Sequence, residues 1–271
     1  MTSFDHVTKR YFALLESLQQ AVITTDRNGS IIHWSKQAEK VYGWPASEVT
    51  GKNILEVTPS DLTRAQGAQI MEALGRGEVW SGQFGARGRD EKTFKTSVTD
   101  VPLLNDAGAV IGIIGVSALA ESPTILNPLL TRFAAACEEV WPGGIVFGVS
   151  TAVNAAVPTA EPHLIQLLSL LVLLFADLLD ERGLVEVVMG VAEQSLFADF
   201  DMASSTPAVY IRIGRRDERS GYSVLRSLST ASEPTRFASA LVRMVGGKLI
   251  ASGGPAHLKA VHLFLPAEKI A

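Results

Sequence analysis

The run Leu164–Leu179 (LIQLLSLLVLLFADLL) constrains the fold more than any other segment, because Gln166, Ser169 and Asp177 are its only polar members. A helix that is apolar on every side has no face to give to water, so it belongs in a protein core or in a bilayer. At 16 residues it is shorter than the roughly 20 that a spanning helix needs. Glu161 precedes it, Asp180 and Glu181 follow, and Arg182 is the one basic anchor nearby. A core helix without a membrane span is therefore expected. A chain of 271 residues at roughly 100–200 residues per domain can bury it within one of two domains. With 47% hydrophobic residues, a wholly disordered chain is excluded. A net charge of −4, without a Lys/Arg block, argues against a nucleic-acid partner. The lone Cys137 allows no internal disulfide, and Met1–Arg10 is too polar for a signal peptide. Both fit the reducing cytoplasm.

Residues 1–20 read as a helix. Val7, Tyr11, Leu14 and Leu18, with Phe4 in front, form an a/d-like seam, which suits either packing on the helix's own domain or dimerisation. An α+β pattern follows over residues 21–120. Strands Ala21–Thr25 and Ser30–Trp34 flank an Asn28-Gly29 turn. Helices are expected over Ser35–Tyr42, Ser47–Gly51 and Ser60–Arg76, the last capped by Ser60 or Asp61. Strands Val79–Arg87, Lys92–Leu104 and Val110–Leu119 close the unit, giving one antiparallel sheet with helices on one face.

These residues resemble a known family. Asp26-x-x-Gly29-x-Ile31-x-x-Trp34-Ser35-x-x-Ala38-Glu39-x-x-Tyr42-Gly43-Trp44 is similar to the opening of a PAS sensor domain. Glu48-x-x-Gly51-Lys52, Trp80-x-Gly82 and Asp106-x-Gly108…Gly112 continue the resemblance in order over residues 10–120. It implies a cavity between sheet and helices, lined here by Ile23, Trp34, Tyr42, Phe84, Phe94 and Ile114, which either holds an unknown small ligand or is a filled core. The family's flavin photoreceptors carry a cysteine where this chain has Ile54, so a flavin adduct is excluded. The long helix has no His to hold a haem; Met71 reads as core and His33 as a strand residue. No cofactor is expected.

Glu121-Ser122-Pro123 opens a linker, residues 121–126, before a second domain at 127–268. Its pattern is a helix at Asn127–Glu139, a strand at Gly144–Ser150, the apolar helix Glu161–Leu179, strands at Leu184–Glu193 and Ala208–Ile213, a helix at Phe237–Val245, and closing strands at Lys248–Ser252 and Leu258–Leu265. This order resembles the ATP-binding domain of sensor histidine kinases, a Bergerat-type α/β sandwich with a helical layer on a mixed sheet. Glu161-Pro162-His163-Leu164-x-Gln166 is similar to the start of that family's first ATP-site helix, and Val242-Arg243-x-x-Gly246-Gly247 with Val261–Pro266 to its closing elements.

The nucleotide chemistry that the resemblance implies is missing. Phe175 stands at the magnesium-binding Asn and Leu171 at the Asn before it, and a phenyl ring gives a hard cation no oxygen. The strand ending at Ile213 leads into Gly214-Arg215-Arg216-Asp217-Glu218-Arg219 instead of DxGxG. The final glycine-rich box reads Pro234-Thr235-Arg236-Phe237-Ala238-Ser239, where each Cβ obstructs phosphate approach to backbone N–H groups. ATP and Mg are therefore not expected. Arg215, Arg216 and Arg219 read as a solvated loop, or as side chains for an anion. No His lies between Ala120 and Glu161, where a phospho-acceptor helical hairpin would have to be. GxSxG, HExxH and P-loop motifs are absent, and His257 and His262 read as surface and packing residues. The sequence thus predicts a cytoplasmic signalling protein: a PAS sensor joined to a catalytically inactive histidine-kinase-like module, working as a homodimer with a histidine kinase or response regulator. The alternatives are an atypical active histidine kinase, with His163 or His6 as acceptor, and a PAS sensor for a bound ligand or cofactor.

Overall fold

The computed structural model of the chain describes residues 3–105, 107–119, 124–149, 155–173, 185–191, 208–215, 224–225, 233–244, 246–254, 257–266 and 268–269. It divides into two units, one comprising residues 12–121 and 160–166, the other 1–11, 122–159 and 167–271.

The first unit is built on a five-stranded antiparallel sheet, β1 (Ala21–Asp26), β2 (Ile31–Trp34), β3 (Trp80–Arg87), β4 (Thr93–Leu104) and β5 (Val110–Leu119), in the order β2-β1-β5-β4-β3. Helix α1 (Ser3–Ser17) precedes it; α2 (Lys36–Tyr42), α3 (Ala46–Val49), α4 (Ile54–Val57) and α5 (Arg64–Gly75) lie between β2 and β3. The β1–β2 turn is closed by Asp26, whose Oδ1 accepts from the N–H groups of Asn28 at 2.8 Å and Ser30 at 2.9 Å. These bonds hold its carboxyl below the usual range, the backbone bond from Ser30 foremost. Gly29 follows at φ +83°, a conformation L side chains rarely adopt, and a Cβ there would meet Asn53 Nδ2 at 3.1 Å. Asn53 caps α4 and donates from Nδ2 to the Asn28 carbonyl, tying that turn to the helical segment.

Ser35 links the two layers. Its Oγ accepts from Ala38 N–H at 3.1 Å, as the cap of α2, and from Val22 N–H at 2.9 Å on β1. Both donors are buried, so Ser35→Ala should cost about 2 kcal/mol of stability, read as a lower urea midpoint at unchanged slope.

Several boundaries differ from expectation. The cap of α5 is Thr63, not Ser60 or Asp61, because Gln66 completes a capping box with it. The short helix α4 was not expected, nor were β8 and β14 below. The seam residues Tyr11 and Leu14 of α1, and Leu18 just after it, are buried within the chain, as is Leu15. This burial accords with the first of the two expected uses, packing within the chain.

The second unit has a mixed sheet in the order β11-β12-β13-β10-β9-β7. Its strands are β7 (Ile145–Val149), β9 (Val185–Val191), β10 (Ala208–Arg215), β11 (Val224–Leu225), β12 (Lys248–Gly254) and β13 (His257–Pro266). The β7–β9 pair is parallel; the other pairs are antiparallel. A smaller sheet joins β6 (Thr124–Ile125), β8 (Ala155–Val157) and β14 (Glu268–Lys269), so the expected linker is partly strand. The helices are α6 (Leu126–Val140), the part of α7 (Glu161–Leu173) from Leu167 onward, its first turns to Gln166 belonging to the first unit, and α8 (Glu233–Met244). Phe133 of α6, fully buried, meets Phe147 of β7 edge-on at 6.2 Å. In α7 every residue from Leu164 to Leu173 is buried, as its all-round apolar sequence requires. No helix among the described residues is long and apolar enough to cross a membrane.

Candidate functional site: a cavity between sheet and helices

In the first unit a cavity of about 170 Å³ lies between the sheet and α4–α5. Strand alternation decides what faces it. Ile23 and Thr25 of β1, Val98 and Asp100 of β4, and Ile113, Gly115 and Ser117 of β5 form its floor. The register Ile23↔Gly115↔Asp100 and Val98↔Ser117 places these side chains on one face. Gly67, Ile70, Met71 and Leu74 recur on one stripe of α5 and roof it, with Ile54 and Leu55 of α4 beside them. Trp80 and Phe84 of β3 close one end, their rings 6.1 Å apart. At the rim, Leu55 and Met71 are 73% and 48% exposed, so the roof is lightly packed there.

Of the residues expected to line a cavity, Ile23, Tyr42 and Phe84 do so. Trp34, Phe94 and Ile114 do not. Trp34 is buried in the core around Tyr42, with their rings 5.5 Å apart, and its indole N–H donates to the Trp44 carbonyl at 2.9 Å. Phe94 packs on the same cluster, 5.6 Å from the Tyr42 ring. Ile114 lies one residue out of phase with Ile113 and Gly115, so it turns to the opposite face of the sheet. His33 is also outside the wall, stacked on Phe12 at 5.1 Å and 3.5 Å from Glu16.

Asp100 is not among the residues expected in the wall. It is the one charged residue in the wall, and Tyr42 is the one other strongly ionisable group there. The Tyr42 hydroxyl is satisfied by Ser117 Oγ at 3.0 Å; burial raises its pKa and that bond opposes the rise. Asp100 has no such partner among the described residues, and burial alone pushes its carboxyl up to about 7. Gly115 makes room for it, since a Cβ there would stand 2.8 Å from Asp100 Oδ1. A charged residue between Thr99 and Val101, in a strand buried on both faces, was the signal available in the sequence.

The wall offers haem no imidazole and a flavin phosphate no cation, and Ile54 supplies no thiol.

In the second unit, Leu171 is fully buried in α7 and Phe175 lies outside the described residues. Gly214 does not begin a loop: β10 runs through it to Arg215, pairing Gly214 with Glu186 and Ala260. Arg216 and Arg219 lie outside the described residues. Arg236 and Ala238 are within α8, and Ala238 is buried. His262 is buried as well, 2.8 Å from the Tyr210 hydroxyl through Nδ1, and burial lowers its pKa to about 4. Among the described residues no cluster of His, Cys, Asp and Glu could hold a metal.

The family profile of the PAS fold matches residues 9–117, and this part of the chain is a PAS domain. The chain is similar in structure to a PAS domain from Colwellia psychrerythraea, at 19% identity and TM-score 0.39, over 42% of this chain and 97% of that one. It is similar to the PAS domain of an HTR-like protein from Haloarcula marismortui, at 17% identity and TM-score 0.36, over 43% and 94%. It is also similar to a blue-light activated histidine kinase from Erythrobacter litoralis, at 12% identity and TM-score 0.45, over 93% and 97%. No curated protein matches the chain.

Proposed function

We propose that this chain is a cytoplasmic signalling protein. A PAS sensor domain takes a small molecule into its cavity, and the second unit is a histidine-kinase-like module without nucleotide chemistry that docks a partner. The observation that carries the second half is α7. A helix lining a nucleotide cleft turns a polar face to it, whereas Leu164–Leu173 is buried all round with Leu171 at the asparagine position. The continuous β10 through Gly214 supports the same reading, because a paired strand does not turn its backbone amides toward a phosphate. His163, with His6 one of the two acceptors an active kinase would use here, is hydrogen-bonded to Ser81 Oγ, and burial lowers its pKa to about 4. The partner is a histidine kinase or response regulator and the chain a homodimer, so light scattering of the full chain should give twice 29.0 kDa. Incubation with γ-labelled ATP and Mg should leave the chain unlabelled. Stoichiometric label lost in His163→Ala would establish an active kinase instead.

A further inference from the structure

We propose that the PAS cavity is a site for a small, mostly apolar molecule carrying a protonated amine, with Asp100 as its counter-ion. The inference rests on the sensor-cavity reading above and specifies its ligand class. Three features of the wall converge on it. Ile23, Leu74 and Phe84 accept a hydrocarbon body. The Asp100 carboxylate, half-buried and facing the cavity, has no donor among the described residues, so a ligand N–H would find an open acceptor there. The aromatic rings of Trp80, Phe84 and Tyr42 share the wall and favour a cation in its space. An anionic ligand would set two like charges side by side, and a neutral one would leave the ionised form of Asp100 without a counter-charge.

The charge state follows from the surroundings. From β1, α4, α5, β3 and β5 the wall residues are all uncharged, and α2 contributes Tyr42 alone. With the carboxyl pushed up to about 7, Asp100 is mostly protonated at pH 6 and mostly ionised at pH 8. An alkyl amine stays cationic across that interval, so its binding strengthens as pH rises.

The test is calorimetric titration of the full chain with 2-phenylethylamine, 2-phenylethanol and 3-phenylpropanoate. The amine should bind most tightly at pH 8, about tenfold better than at pH 6, and lose at least about tenfold in Asp100→Asn while the alcohol is unchanged. Equal binding of the three probes, or preference for the carboxylate, would overturn the inference and leave the sensor cavity standing. Loss of all three in Asp100→Asn would assign Asp100 to holding the cavity open and would also overturn it. If the unchanged chain binds none of the probes, the cavity reading falls with it.

Discussion

Leu171→Asn should destabilise the second unit by about 4 kcal/mol. The substitution introduces the residue type that the proposed resemblance to a kinase ATP-binding domain would place there, but its surroundings are a filled core. Leu171 is fully buried, with Leu167, Leu168, Leu170 and Val172 buried around it in sequence. Removing the branched side chain forfeits its burial, at about 2–3 kcal/mol, and the amide arrives without water or a designed partner, costing a further 1–3 kcal/mol. Among the described residues the amide of Gln166 and the hydroxyl of Ser169 on this helix have no hydrogen-bond partners, so those residues offer no polar network to join. Leu171→Met keeps volume and apolarity and should cost less than about 1.5 kcal/mol. Thermal unfolding followed by circular dichroism separates the two variants, at about 2–4 °C per kcal/mol for a unit of this size. An Asn variant as stable as the parent would mean that water or a ligand reaches position 171.

The second large effect has the opposite sign. Asp100→Asn should stabilise the PAS unit by about 2–4 kcal/mol above pH 7 and change little at pH 4. Its carboxyl is raised from an ordinary 3.8 to about 7 by burial, so between those values the folded state binds the proton that the unfolded state has released. Stability of the parent therefore falls as pH rises from about 4 to 7 and is level above, at about 1.4 kcal/mol per pH unit before water in the cavity reduces it. Asparagine has nearly the same shape and no proton to lose, so the variant's profile should be flat over this interval. Urea midpoints at pH 4.5, 6 and 8 measure the difference. Parallel profiles would show that the carboxylate is already compensated and would remove the basis for a cationic ligand.

How much of this the sequence disclosed depends on where each constraint resides. The PAS motif residues are local structure: Asp26 and Gly29 shape one turn, Ser35 caps α2, and Glu39 Oε1 accepts from Ala46 N–H at 2.8 Å. Such short-range geometry leaves a strong imprint on residue type, and the domain was legible from it. The cavity was half legible. Ile23 and Phe84 face it, but β5 is apolar on both faces, with Val116 and Ile114 buried behind, so alternation carried no phase and Ile114 was placed on the wrong side. Trp34 and Phe94 were expected in the wall because large aromatics suit either a pocket or the core beside it; packing around Tyr42 decides which. The two-residue strands β6 and β14 were beyond reach, since partners distant in sequence define them rather than any local pattern. In the second unit, by contrast, the apolar α7 announced its own burial.

The most direct measurement is calorimetric titration of Mg·ATP into the full chain. A core sealed around Leu171, with β10 paired through Gly214, predicts heats no larger than dilution at every concentration up to millimolar. Saturable, magnesium-dependent binding that disappears when residues of the second unit are changed would contradict the account, and would return the chain to the nucleotide-using kinases.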